Sequence, residues 1–468
     1  MNRSINHKKA RNVMAKTKLQ ISMRRKTTGI IAVGFLIIIF FGALLLALPF
    51  STASGKSTSP LDALFTAVSA TCVTGMVTVD TGTHWSLFGQ LVILLLVQVG
   101  ALGFMTVGVL LSLLVKRAVT PKERMLVAMS YNIASYEKTG ELLRRIWIGT
   151  LAIELAGAAV LTIRFVPLFG VWDGIYKSIF TAITAFCNAG FDLFGSYSGE
   201  FSSLTAFSGD YVVNITIMLL IIIGGIGFIV WNDIANMFIR KKHISVYSRF
   251  VLIISSILIL GGAILFAIIE WNNPESIGNM SVGDKIIASL FQSVTTRTAG
   301  FATIPQGGLN ESSQLLSVIL MFIGGASGST AGGVKVATVG IIIFTLFSVS
   351  IGRREAVLFR RKISQDTFTR AVAVVGVQLL MLAAGSIAIS ASMNCGMLEA
   401  IYEAAGSLGT VGLSLDLTPT LNTFSKIIDM VLMYFGRVGV LTVAYAVMVN
   451  LRESRSVISY PDANMLVG

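Results

Sequence analysis

Four tripeptides in this chain carry residues suited to one kind of chemistry, the replacement of a cation's hydration shell by backbone carbonyls. They are Val73-Thr74-Gly75, Asn188-Ala189-Gly190, Thr298-Ala299-Gly300 and Thr410-Val411-Gly412. Each closes a short apolar stretch, beginning at Phe65, Phe180, Leu290 and Tyr402 in turn. From Gly75 to Gly190, Gly300 and Gly412 the intervals are 115, 110 and 112 residues. A repeat this long, with glycine at the same place each time, implies four copies of one unit around one axis. Four backbone loops around an axis are what a cation selectivity filter requires. Carbonyl oxygens take the place of water, and glycine permits the dihedrals that aim them inward.

The elements that must hold such loops are apolar. Of 468 residues, 54% are hydrophobic and 13% charged, and the mean hydropathy is +0.80. This poverty of charge excludes a soluble domain and implies a polytopic membrane protein. Eight apolar segments, 30–50, 87–115, 146–167, 212–238, 250–270, 315–349, 371–391 and 424–449, are each long enough for a spanning helix of about 20 residues. The first is too long for a signal peptide and lacks a clear small-residue cleavage site.

The net charge of +13 is unevenly placed. Residues 1–26, 116–145, 240–249, 353–370 and 452–455 hold 28 of the 36 Lys and Arg and alternate with loops nearly free of them. The positive-inside rule makes these segments and both termini cytoplasmic, and eight spans satisfy the alternation. Interleaving with spans argues against nucleic-acid binding. Three cysteines, Cys72, Cys187 and Cys395, form no CxxC, and His7, His84 and His243 are scattered, so a disulfide framework and a metal centre are not expected.

The fold expected is therefore an all-α membrane protein of four pseudo-repeats: helix, re-entrant half-helix and loop, helix. Irregular backbone at membrane depth is tolerated where protein buries it or water wets it. The chain divides into a basic N-terminus (1–28), repeats at 29–116, 146–240, 248–351 and 369–451, and a cytoplasmic tail (452–468). Half-helix C-termini would point their partial negative charge at the pathway.

Several charges depart from the repeat. Arg297 lies inside the third loop. A cation facing the path would repel another at 4 Å by about 4 kcal/mol at an effective dielectric near 20, so it must point behind the loop. There it would brace against carbonyls or an acid such as Glu403. Asp80, Asp192, Asp416, Glu399 and Glu403 either make the outer mouth negative or are ordinary loop acids; the residues alone leave both readings open. The run Gly324-Gly325-Ala326-Ser327-Gly328-Ser329-Thr330-Ala331-Gly332-Gly333-Val334-Lys335 cannot hold a stable helix inside its apolar segment, and should line a cavity beneath the filter. It is not a P-loop, because Val334 follows Gly333 and no strand precedes it. Arg437, in the last span, either shapes permeation together with Lys335 or sits in a buried structural pair. Glu154 in the third span reads as a hydrogen-bonded structural acid. Gly224-Gly225-Ile226-Gly227 lies inside a span and reads as a close-packing patch. One inner helix, the sixth span, is expected to be broken.

These segments resemble the Trk/Ktr/HKT superfamily, most closely its Ktr-type membrane subunit. The likeness rests on Thr71-Cys72-Val73-Thr74-Gly75, Asn188-Ala189-Gly190-Phe191, Thr296-Arg297-Thr298-Ala299-Gly300-Phe301 and Gly409-Thr410-Val411-Gly412-Leu413. Asp80-Thr81-Gly82, Gly100 to Thr106, Gly224 to Phe228 and Phe435 to Gly439 also fit, and the match covers nearly the whole chain. The resemblance implies a potassium ion at the loop carbonyls, one pathway per chain, and bacterial potassium uptake at the cell membrane. In plant relatives serine at the first filter position goes with sodium and glycine with potassium, which favours potassium for Gly75. It further implies a homodimer over a cytosolic RCK-type octameric ring that binds nucleotide, sodium activation, and a 324–335 segment that obstructs the pore and moves in gating. No covalent cofactor is implied, and nucleotide enters only through the partner. A sodium-coupled or sodium-permeable secondary transporter is the alternative. Its class shows inverted repeats, whereas these four share one orientation. An enzyme would need clustered titratable groups, and none appear in the sequence.

Overall fold

The computed structural model describes residues 29–103, 139–241, 243–353 and 355–439. The basic N-terminus, most of the basic 116–145 segment, the C-terminal tail and the distal ends of the second and eighth apolar segments lie outside the described residues.

The described chain is mostly helical, with a two-residue strand pair, Val357–Leu358 on Arg361–Lys362. The order of outer helix, short helix, loop and inner helix recurs four times. Unit 1 comprises Gly29–Leu46, Pro60–Cys72 and Leu87–Leu102. Unit 2 comprises Thr139–Phe169, Val171–Cys187, and Tyr211–Gly225 followed by Phe228–Arg240. In unit 3 these are Val246–Glu270, Val282–Thr295, and Glu311–Phe322 followed by Val336–Ser350. Unit 4 has Gln365–Met393, Met397–Leu408 and Thr423–Val438.

The four outer helices are the ones long and apolar enough to cross a membrane, with a bent pair in unit 2 as a fifth candidate among the described residues. They turn large apolar side chains outward, such as Ile163, Ile268 and Leu380, each at least 68% exposed. An apolar exterior on this scale suits hydrocarbon rather than water. The short helices, at 12 to 17 residues, cannot cross. Each starts with an acid in its first turn, Asp62, Asp173, Asp284 or Glu399, which complements the N-terminal dipole. The core runs along these helices: Phe65, Phe180, Phe291 and Tyr402 are fully buried.

Packing between units is cyclic. The short helix of unit 2 packs on the inner helix of unit 1, that of unit 3 on inner helix 2, that of unit 4 on inner helix 3, and that of unit 1 on inner helix 4. Lys426 Nζ meets Asp62 Oδ1 at 2.7 Å and ties the last inner helix to the first short one.

Interruption of the inner helices goes further than the sequence suggests. In unit 3 the helix stops at Phe322 and resumes at Val336, where the glycine run falls. The expectation of one broken inner helix is corrected by unit 2, whose inner helix turns by 99° between Gly225 and Phe228. Gly227 there has φ +92 and ψ 143, a conformation that residues with a Cβ rarely adopt. Gly103 and Gly439 adopt nearly the same dihedrals where inner helices 1 and 4 end (φ +78, ψ 132; φ +89, ψ 128). The two breaks satisfy each other's backbone. Ala326 N and Thr330 N donate to Gly225 O (2.9 Å) and Gly224 O (3.3 Å), and Phe228 N donates to Gly328 O (2.8 Å).

Candidate ion pathway

The four tripeptides share one backbone conformation. Val73, Asn188, Thr298 and Thr410 have φ of 59, 58, 71 and 50, and the glycines two residues on have φ of 89, 69, 82 and 92. The residue between keeps a negative φ in each loop. In a regular strand successive carbonyls point opposite ways; inverting φ at alternate residues brings them round to one side. Four non-glycine residues held left-handed, at about 1–2 kcal/mol each, need firm support from their surroundings.

That support comes from behind. Thr74 N donates to Ser69 O at 2.8 Å, Ala189 N to Thr184 O at 2.8 Å, Ala299 N to Thr295 O at 3.0 Å and Val411 N to Gly406 O at 2.8 Å. The amides are thus held by the last turns of the short helices. The carbonyls are not: among the described residues, none of the twelve tripeptide carbonyl oxygens accepts a hydrogen bond from a protein donor. Backbone carbonyls away from bulk water are nearly always paired. Here twelve such oxygens, in four equivalent loops, stand without a protein donor.

The loops close on one another. A Cβ on Gly75 would stand 2.3 Å from Ala189 O, one on Gly190 2.8 Å from Ala299 O, one on Gly300 2.2 Å from Val411 O, and one on Gly412 2.1 Å from Thr74 O. Each loop therefore abuts the next, and the fourth abuts the first.

Outside this ring lies a cavity of about 360 Å³, with Gly75, Gly190, Gly300 and Gly412 among its lining. Its lining also includes the acids Asp80, Asp192, Glu200 and Asp416 and no Lys or Arg. Three of the five acids expected near the mouth stand there. Glu399 instead caps its helix, accepting from Gly396 N at 3.2 Å, and Glu403 is fully buried. Glu200, which nothing in its local sequence marks, joins the mouth because its loop folds over Asp80; Phe201 N donates to Asp80 Oδ2 at 3.1 Å. Burial, with Asp80 nearby, pushes the Asp192 carboxyl up to about 6, against the pull of the Phe194 amide that it accepts.

Arg297 does point behind its loop, but not to Glu403. Its guanidinium donates to Ser255 O and Ser255 Oγ, both at 3.3 Å, on outer helix 3. Glu403 is taken up by neutral donors, Ser414 Oγ at 2.6 Å and Thr418 Oγ1. Glu154 is buried and accepts from Gln98 Nε2 at 3.2 Å, with Cys187 Sγ donating to Gln98 Oε1 at 3.2 Å. It joins outer helix 2 to inner helix 1 and the second short helix.

Beneath the ring, the segment from Gly324 to Lys335 folds back on itself, with Gly324 N bonded to Val334 O at 2.9 Å. It reaches the last turn of the second short helix and the fourth loop. Thr330 Oγ1 donates to Phe186 O at 3.2 Å, and a Cβ on Gly332 would lie 1.9 Å from Thr410 Oγ1. Arg437 holds it: the guanidinium donates to Thr330 O and also to Gly100 O (2.7 Å) and Ala101 O (3.0 Å) at the end of inner helix 1. Lys335 Nζ turns inward onto Ala331 O and Gly332 O, at 2.8 and 3.2 Å. Both cations thus clasp backbone within the segment. Three inner helices approach the short helices closely, each within a turn of the glycine at which it ends or bends. A Cβ on Gly100, Gly224 or Gly436 would fall 2.0, 2.0 or 2.1 Å from Thr71 O, Phe186 O or Leu408 O.

The ring of unpaired carbonyls thus stands under an acidic mouth. A profile described as TrkH, cation transport protein, matches residues 2–458. The chain belongs to the TrkH family. As a TrkH-family member it is a multi-pass membrane transporter and not an enzyme. It is 38% identical over 439 residues to the Ktr system potassium uptake protein B of Bacillus subtilis, covering 94% of this chain and 96% of that one. Over 455 residues it is 36% identical to the potassium/sodium uptake protein NtpJ of Enterococcus hirae, covering 96% and 99%. The crystal structure of the potassium transporter TrkH from Vibrio parahaemolyticus superposes with a TM-score of 0.66 at 18% identity, over 90% of this chain and 85% of that one, a likeness of fold.

Proposed function

We propose that this chain is the translocating subunit of a bacterial potassium uptake system, a channel-like path through eight spans and four re-entrant loops with both termini cytoplasmic. The observation that carries the reading is the set of twelve carbonyls without protein donors, in four loops that close on one another. Potassium is the ion because relatives at 38% and 36% identity are named for its uptake and because all four loops keep glycine at the ring. The Enterococcus relative's name also includes sodium, so sodium permeation or activation is the second reading.

The 324–335 segment is the gate in this proposal. It lies under the ring, is not helical, and is pinned by Arg437 across to inner helix 1. A homodimer standing on an RCK-type nucleotide-binding ring would supply the stimulus that releases it. Complementation of a potassium-uptake-deficient bacterium tests the whole. With a cognate ring subunit, the wild-type chain should restore growth at low potassium, and Gly75→Ser should admit more sodium. Absence of rescue by a well-expressed chain rejects potassium uptake. Unchanged selectivity in Gly75→Ser rejects the filter. Deleting 325–333 should raise flux, and unchanged or lower flux in a well-expressed protein removes the gate from the scheme.

A further inference from the structure

The outer halves of loops 3 and 4 are both held by two consecutive residues of the fourth short helix. Tyr402 and Glu403 are fully buried. Tyr402 Oη donates to Gln306 Oε1 at 2.9 Å. Gln306 follows Gly300 in the third loop and lines the mouth. It also exchanges amide hydrogen bonds with Gln292 of the third short helix, at 2.8 and 3.2 Å, and donates to Ile304 O at 2.9 Å.

Glu403 serves the fourth loop. One carboxylate oxygen accepts from Ser414 Oγ and the other from Thr418 Oγ1. Ser414 Oγ in turn accepts from Leu417 N and Thr418 N at 3.0 and 3.2 Å, so the carboxylate anchors the whole turn beyond Gly412. That turn carries Asp416 into the mouth with a left-handed φ of 60. Among the described residues no Lys or Arg pairs with Glu403. A buried acid without a cation is costly, and its two oxygens bond only to the segment just outside the ring. Loops 1 and 2 are braced separately, by Asp80 accepting from Thr83 N at 2.8 Å and Phe201 N at 3.1 Å.

We propose that Glu403, with Tyr402 beside it, is a specificity-determining positioning residue. Glu403 fixes where the carbonyls of loop 4 stand and Tyr402 those of loop 3, and together they keep the ring from contracting around a cation smaller than potassium. The inference rests on the filter reading above. A ring of carbonyl dipoles discriminates by its size and by how firmly its ligands are held. Tyr402 and Glu403 together firm one half of this ring from a helix packed against outer helix 4 and inner helices 3 and 4.

The test is competition between rubidium and sodium for uptake by the full-length chain in its membrane. Glu403→Gln should shift the rubidium-to-sodium preference about tenfold toward sodium, the order expected for one charge-assisted hydrogen bond lost. Thr418→Val and Tyr402→Phe each remove only a hydroxyl and should shift it in the same direction by less. If Glu403→Gln fails to fold, these two carry the test. The double variant Glu403→Gln/Thr418→Val should be no worse than Glu403→Gln, because both changes break one contact. Preferences within twofold of wild type in all three single variants, or independent addition in the double, would overturn the proposal. Gly75→Ser run alongside separates the two failures. A shift there with none at Glu403 removes only this inference, and no shift at either removes the filter as well.

Discussion

Gly412→Ala probes the ring at its tightest seam. Two effects can be worked out from the geometry. Alanine at φ +92 incurs about 1–2 kcal/mol of backbone strain. Its Cβ would stand 2.1 Å from Thr74 O, where real Cβ contacts stop near 3.0 Å, so the carbonyl of the first loop must retreat by about 0.9 Å. The alanine side chain is itself no obstacle to an ion; the displaced ligand is. Treating one carbonyl dipole on a cation like a hydrogen bond to a charged group, about 1.5–3 kcal/mol is lost. That corresponds to binding weaker by about 10- to 100-fold. The assay is rubidium uptake against concentration, with the amount of folded protein in the membrane measured in parallel. KM should rise by that factor. Gly199→Ala is the control, since Gly199 has φ +103 and open space around it. It carries similar strain and should leave KM alone. A Gly412→Ala protein with wild-type KM would refute the claim that these carbonyls bind the ion.

The remaining predictions concern the gate and the mouth. Arg437→Gln frees Thr330 O, Gly100 O and Ala101 O from the guanidinium. Maximal uptake should rise at unchanged KM, and a maximal rate at or below wild type in a folded protein argues against a latch. Asp192 is ionised above about pH 6 and neutral below it. Uptake at low potassium should therefore fall by about twofold as external pH drops through 6, as expected for one of several steering charges. Asp192→Asn should show the low-pH rate throughout, and a pH step that persists in that variant belongs to another group.

The ring glycines could be read from sequence because a backbone oxygen of the next loop occupies the space of a side chain, which leaves no choice of residue. The break in inner helix 2 could not. Gly224 and Gly225 do pack closely on Phe186 O and Asn188, and Gly227 on Ser327 O, as a small-residue patch would. Nothing local distinguishes that patch from a 99° turn, because the partners that make the turn affordable, Ala326 N and Thr330 N, come from about a hundred residues away. The same distance hid the partner of Arg297. An acid was the natural expectation for a buried cation, yet outer helix 3 supplies a serine hydroxyl and a carbonyl. Glu403 was visible as an acid near the loops, but not as a ligand of hydroxyls that follow Gly412. Nothing in the sequence around Asp429 marks it. It is fully buried on inner helix 4 and accepts from Ser407 Oγ at 2.8 Å.

The cyclic contact of the four loops bears on how such a chain can be altered. Since the space beside each ring glycine is set by the following unit, no quarter of the ring has a private boundary. Transplanting a single loop from a relative creates two mismatched seams, one on either side, while transplanting adjacent loops 3 and 4 together also creates two but preserves the contact between them and their shared Tyr402-Glu403 brace. The natural module for exchange or divergence in this molecule is therefore the half-ring, even though the unit of its repetition is the quarter.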